Sequence, residues 1–246
     1  MKIYQTSIIG QFHTNHNEDA LVIAELSEKI KLFAVMDGCS MGTESHFASI
    51  LIGKVLRKIA KEISFKNFVE KTEKSLDVHL KEILQKLFKC LNELKNLLLL
   101  EKEELLSTLI LGVLDGEKRQ AAIITIGDGL ICCNGKYVEY EQDNKPDYLA
   151  YHLQEKFDVW FKSQRQILYC KHIYDLSIAT DGIFSFKKFD NKIYTLIQEN
   201  ALIDLLLIDK QWEKQKNMLS RKLLEIERKF GLKPSDDLSI VRILLA

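Results

Sequence analysis

Residues 107–135 read STLILGVLDGEKRQAAIITIGDGLICCNG, and the fold class follows from them. Three short apolar runs, 107–114, 120–126 and 130–133, are separated by Asp115-Gly116 and Gly127-Asp128-Gly129 and closed by Asn134-Gly135. Successive turn signals at this spacing predict an antiparallel meander. Upstream, 2–9, 19–24 and 31–36 also read as strands; the last, KLFAVM, is apolar enough to be buried and stops at Asp37-Gly38. A helix should follow, capped by Thr43 or Ser45, with Phe47, Leu51, Val55 and Ile59 at four-residue spacing. Leu76, Leu80, Leu84, Leu87, Leu91, Leu94 and Leu98 then alternate steps of four and three. That is one apolar stripe on a long helix, read as core-facing or helix-pairing. An intermolecular coiled coil is the alternative, although the stripe spans only about three heptads.

Downstream, 141–170 reads as a loop with a short helix, able to form a flap, and 174–179 as a strand ending at Asp181-Gly182. Two helices fill 193–230, the second carrying Leu219, Leu223, Ile226 and Phe230, with Gly231 and Pro234 as stop signals. The last strand, 238–245, follows Asp236-Asp237. Hairpin-like neighbours outnumber crossovers, so an α+β domain with antiparallel sheets and helices outside them is expected. No G-x-G-x-x-G or G-x-x-x-x-G-K-[ST] occurs, which argues against a dinucleotide-binding or P-loop sheet. No repeat or linker divides the 246 residues, and a single domain over 1–246 is the expectation.

Composition narrows the partners. Thirty-five Lys+Arg balance 35 Asp+Glu, so no general electrostatic pull toward nucleic acid or an anionic membrane exists. Only 2 Pro and 11 Gly exclude a disordered or collagenous chain. No apolar run approaches the roughly 18 residues of a membrane span. The opening MKIYQTSIIG has no basic region ahead of an apolar core, so no signal peptide is read. Five cysteines without a C-x-x-C suggest neither a disulfide framework nor a zinc ribbon, and a reducing cytoplasm is the expected setting.

Acidic residues mark the strand ends. Asp37, Asp128, Asp181 and Asp236 each stop or introduce an apolar run, and Glu18-Asp19 precede another. Asp singly is a common turn former. Converging carboxylates, however, would repel one another and raise their pKa values, and hard divalent cations such as Mg²⁺ or Mn²⁺ relieve that repulsion. Two such ions about 3.5–4 Å apart can bind a phosphoryl group and activate water.

Glu18-Asp19-Ala20, VMDGCSMG (35–42), Ser107-Thr108, IGDG (126–129), ATDGIF (179–184) and DDLSIV (236–241) occur in that order. The chain thereby resembles the PP2C-like, metal-dependent protein serine/threonine phosphatases over about residues 5–244, and most closely the bacterial branch whose second motif reads D-G-C-S. The resemblance implies a four-layer αββα sandwich with a two-metal centre, Mg²⁺ or Mn²⁺, and a weaker third ion. It implies that Asp37 bridges both metals, Gly38 lends its carbonyl, and Asp181 and Asp236 complete the first metal's carboxylates. Glu18 and Asp19 match the acidic pair that holds water near the second, and Asp128 matches a ligand of the third. Asp236 is aligned with the ligand and Asp237 with the Asn that often follows; the reverse register is the alternative.

Two departures stand out. Family members often carry a phosphate-gripping Arg four residues before the Glu of the first motif; here that position is Thr14, with His13 beside it as a substrate-binding candidate. Where eukaryotic members place His after D-G, this chain has Cys39, read as an apolar filler rather than a titrating thiol. His13 and His16 lack the helical context of a zinc motif, and His46, His79, His152 and His172 are scattered. Cys132-Cys133, Trp160 and Trp212 read as packing residues, and the Lys-rich 54–71 as a solvated helix face. The expectation is a monomeric phosphatase acting on phosphorylated protein. A pseudophosphatase binding module and an enzyme for a small phosphorylated metabolite are the rivals.

Overall fold

The structure, a computed structural model, describes residues 1–13, 15–39, 44–70, 74–142 and 146–245, apart from the Ser45 side chain. Thr14, Ser40, Thr43 and Lys71 therefore lie outside the described residues, and with them one proposed helix cap and part of the second motif.

Alternation along residues 30–37 builds two layers at once. Leu32, Ala34 and Met36 face one apolar cluster, while Phe33 and Val35 face another on the opposite side. The same division holds for Ala122, Ile124 and Ile126 against Ala121 and Ile123. A strand buried on both faces needs a second sheet on one side and helices on the other.

In chain order the elements are β1 (Lys2–Ile8), β2 (Asp19–Glu25), β3 (Ile30–Asp37), α1 (Ser45–Glu70) and α2 (Leu76–Leu98), then β4 (Leu109–Asp115), β5 (Gln120–Ile126), β6 (Gly129–Cys133) and β7 (Lys136–Tyr140). There follow α3 (Leu149–His152), α4 (Phe157–Ser163), β8 (Ile167–Cys170), β9 (Asp175–Ala179), β10 (Phe186–Lys188), α5 (Glu199–Leu207), α6 (Met218–Phe230), β11 (Leu232–Pro234) and β12 (Leu238–Leu244). One sheet runs β2-β3-β4-β5-β8 and the other β1-β12-β9-β6-β7, with β10-β11 as a separate ribbon. Neighbours are antiparallel throughout. Between the sheets lie Phe33, Ile110, Ile123, Ile131, Ile178 and Val241. α1 and α2 cover the first sheet through Ile52, Leu56, Leu84 and Leu87; α5 and α6 cover the second through Leu206, Leu219 and Ile226. The result is the expected four-layer αββα sandwich of antiparallel sheets.

The meander is corrected. β4 and β5 form a hairpin in the first sheet, but β6 pairs with β7 and β9 in the second. Gly127-Asp128-Gly129 is therefore a crossing between sheets rather than a hairpin turn. Gly127 (φ 91°) and Gly129 (φ 133°) adopt backbone angles costly for other residues. A turn dipeptide reports a change of direction, not the sheet to which the next strand goes.

The leucine stripe packs into the core. Leu80, Leu84, Leu87 and Leu91 are buried, joined by His79, Ile83 and Phe88, and α2 lies against α1, β4 and β5. Ser75 caps the helix by accepting from the Val78 N–H, and Leu98 is exposed. On α1 the buried face is Ala48, Ile52, Val55, Leu56, Ile59, Ala60 and Ile63, leaving Phe47 and Leu51 half-buried. A strict four-residue spacing overshoots the 3.6-residue turn and drifts off the face. β7, β8, β10 and β11 lie outside the expected strands; at three to five residues they carry too little alternation to register. Residues 189–198 precede α5 without helix. Among the described residues no helix is long and apolar enough to cross a membrane.

β12 also carries a buried charge. The Arg242 guanidinium, wholly buried, donates Nε to Asp175 Oδ1 (3.1 Å) and Nη2 to Asp175 Oδ2 (2.7 Å). Its remaining donors reach the carbonyls of Leu206, Ile208 and Asp209 at the end of α5. Removing one partner of such a pair strands the other charge in an apolar setting. Arg242→Ala is expected to cost about 3 kcal/mol in urea unfolding. Asp175→Asn, which keeps the side chain's shape, should cost less.

Candidate active site

β3 delivers Asp37 to the end of the sandwich, and three backbone bonds hold the turn beyond it. The Gly38 N–H donates to the Glu18 carbonyl (3.1 Å), Cys39 N–H to Leu106 (3.1 Å) and Thr108 N–H to the Asp37 carbonyl (2.9 Å). The first motif, the second motif and Ser107-Thr108 thus become neighbours through strand ends. β9 brings Asp181 to the same end, on a 3-10 turn spanning Asp181–Phe184. The start of β12 brings Asp236, and the sheet crossing brings Asp128.

Glu18, Asp37, Gly38, Asp128, Asp181 and Asp236 line one cavity of ≈ 530 Å³. Its remaining wall comes from Cys39, Glu139, Tyr140, Glu141, Gln142, Pro146, Tyr148, Phe184 and Glu199. Among these described lining residues none is Lys, Arg or His.

The electrostatics show how close the acids are. Burial, then the charges of Asp19, Asp181 and Asp236, pushes the Asp37 carboxyl well above its usual range. Asp181 rises to about 7 by burial and the charges of Asp128 and Asp236. Asp19, opposite Asp37 in the β2–β3 ladder, rises to about 8, chiefly by burial, although Thr180 Oγ1 donates to its Oδ2 (2.7 Å). Asp128 also rises by burial. Such groups gain little from ionising alone and much from a cation.

The predicted residues separate into two groups. Glu18, Asp37, Gly38, Asp128, Asp181 and Asp236 face the cavity; Asp19 and His13 do not line it. Asp19 sits behind, buried against Thr180. His13 Nδ1 lies 3.0 Å from Asp237 Oδ2, and Nε2 3.6 Å from Asp236 Oδ1. Burial opposes its protonation, but Asp237, Glu18 and Asp236 outweigh that and raise its pKa.

The two adjacent aspartates are distinguished by their partners. Asp236 opens to the cavity, whereas Asp237, buried, accepts from the Gly10 N–H (2.6 Å) and from the Glu18 N–H. Asp237 thereby ties the first motif to β12 and holds Glu18 in place. Its role, like that of Thr180, was missed because a motif match names ligands and is silent on what anchors them. Tyr148, a buried member of the wall whose pKa burial raises, lies in the aperiodic 141–170 segment and left no signal. Cys39 itself is buried in the wall.

Close backbone approach completes the geometry. A Cβ on Gly182 would lie 1.8 Å from the Asp237 carbonyl oxygen, and one on Gly10 2.3 Å from the Asp236 carbonyl carbon. Gly182→Ala must therefore push the Asp181 turn away from β12. The expected result is at least a tenfold loss of phosphatase turnover with about 2 kcal/mol lower stability, read by kinetics and urea melts on one preparation.

Oxygen donors from several carboxylates fit hard divalent ions such as Mg²⁺ or Mn²⁺, and the raised pKa values are what a cation would reverse. Among the described residues no group of three or more His, Cys, Asp or Glu side chains stands close enough together to hold a metal ion. The acids are gathered around one space rather than drawn onto one point.

The sequence profile of the Protein phosphatase 2C family matches residues 12–215. No curated protein sequence matches the chain. Among solved structures, a bacterial serine phosphatase superposes with a TM-score of 0.60 at 13% identity, covering 100% of this chain and 98% of that one. Serine/threonine phosphatase Stp1 from Staphylococcus aureus gives 0.61 at 12% identity, covering 99% and 94%. RsbX, in a structure with magnesium, gives 0.53 at 14%, covering 99% and 94%. The chain spans 62% of the Bacillus subtilis SpoIIE phosphatase-domain structure, which includes a fragment of that protein's regulatory domain. At these identities the superpositions speak for the fold, and the profile, over most of the chain, for descent. The chain belongs to the protein phosphatase 2C family of protein serine/threonine phosphatases.

Proposed function

We propose that this chain hydrolyses phosphoserine and phosphothreonine in proteins with the help of two Mg²⁺ or Mn²⁺ ions. The observation that carries the reading is the meeting of Asp37, Asp181 and Asp236, far apart in sequence, around one cavity where burial and neighbouring carboxylates push Asp37 and Asp181 above their usual range. Asp37, Asp181, Asp236 and the Gly38 carbonyl would hold the cations, with Asp128 placed for a weaker third. Bound there, the ions supply charge neutralisation of the phosphoryl oxygens and an activated water for in-line attack.

The chain's own part is positioning. Asp237 fixes the backbone of Glu18, whose side chain faces the cavity and can orient water. Asp19 acts from behind, opposite Asp37 in the β2–β3 ladder and held by Thr180. Tyr148 and Phe184 wall the space against bulk solvent. No Cys or Ser nucleophile is assigned, so no phosphoenzyme should accumulate.

A regulatory binding module with the same fold is the second reading, favoured by the absence of Lys, Arg or His among the described lining residues. One assay separates the two. Phosphothreonine-peptide hydrolysis should depend on Mn²⁺ and vanish with chelator, with two ions bound by calorimetry. Tight ion binding without turnover would leave the binding module instead.

A further inference from the structure

We infer that this cavity selects phosphorylated segments flanked by Lys or Arg, with Glu139, Glu141 and Glu199 as its specificity-determining residues. The inference rests on the phosphatase reading and names the substrate class it serves.

β7 and α5 bring these glutamates to one rim. Glu139 lies near the end of edge strand β7, Glu141 directly follows that strand, and Glu199 opens α5. All three are exposed, and none has an ion-pair partner among the described residues. Among the described residues, then, no ion pair compensates the rim charges.

That creates an electrostatic problem for the substrate. A phosphorylated side chain brings about −1.5 to −2 charges, and it must pass three carboxylates to reach the metal-binding carboxylates beneath. Within a Debye length of about 8 Å at physiological ionic strength the rim is only partly screened. A peptide with cations on either side of the phosphorylated residue turns the repulsion into complementarity, which acts on encounter and register. Tyr140, half-buried between Glu139 and Glu141, offers an apolar surface for the aliphatic stem of a Lys or Arg.

The test uses two phosphothreonine peptides alike except for two Arg or two Glu flanking the phosphorylated residue. With Mn²⁺-loaded wild type, kcat/KM should favour the basic peptide by at least about tenfold, and the ratio should shrink in 0.5 M salt. Glu139→Gln with Glu141→Gln, and separately Glu199→Gln, should each lower the ratio several-fold. Fluorescence anisotropy with labelled, unphosphorylated versions on metal-free protein should show the same order of binding. A ratio within about twofold, a ratio that survives both neutralisations, or variants that alter only the Mn²⁺ requirement would overturn the inference. Hydrolysis of p-nitrophenyl phosphate by wild type separates the failures. Turnover without charge preference sinks the specificity alone, whereas no turnover sinks the phosphatase reading itself.

Discussion

Replacing Asp37 by asparagine is expected to lower metal-dependent hydrolysis of p-nitrophenyl phosphate by about a thousandfold or more, and Asp181→Asn should do nearly the same. Each substitution keeps the size of the side chain and removes one negative charge from a half-buried group lining the cavity. In both proteins Mn²⁺ affinity should fall together with turnover. Folding is predicted to move the other way. Asp37 is half-buried in the cavity wall and crowded by Asp19, Asp181 and Asp236, so its ionised form is unfavourable without a cation. The metal-free Asp37→Asn protein should therefore melt at or above wild type at pH 8. Full activity in either purified variant would refute the assignment of these carboxylates to the ions.

The second large effect is on stability against pH. Asp181 rises from 3.8 to about 7 on folding and Asp19 to about 8, so between pH 4 and 8 the folded chain holds protons that the unfolded chain has released. Stability must then fall as pH rises through that window and level off above it. For Asp181 alone the shift corresponds to on the order of 4 kcal/mol. About 2.6 kcal/mol of that is lost between pH 5 and pH 8, so metal-free protein should show a Tm roughly 5–11 °C lower at pH 8 than at pH 5 from Asp181 alone. Saturating Mn²⁺ at pH 8 should restore much of the loss, since at a hundredfold excess over Kd a ligand adds about 2.7 kcal/mol. A metal-free Tm that rose between pH 5 and pH 8 would show that the acids are not forced together.

Much of this site was legible because its residues stand where apolar runs stop. The KLFAVM run ends at Asp37 and the ATDG segment carries Asp181 for reasons of local patterning, and such patterning survives in sequence. Anchoring groups have no such mark. Asp237 acts on the backbone of Gly10 and Glu18 from more than two hundred positions away. Thr180 meets Asp19 across 161 positions. The rim glutamates look like any solvated acid until β7 and α5 are brought to one cavity.

Periodicity and turn chemistry determined the elements: which runs are strands, which stripe of α2 is apolar, and that the sheets are antiparallel. These depend on neighbours a few residues apart, whose spacing the chain carries with it. Tertiary structure alone decided that Gly127-Asp128-Gly129 passes between sheets, that Asp236 opens to the cavity while Asp237 turns inward, and that the acids share one field. Those outcomes depend on distances between strand ends, and such distances exist only once two sheets have packed face to face over a common core.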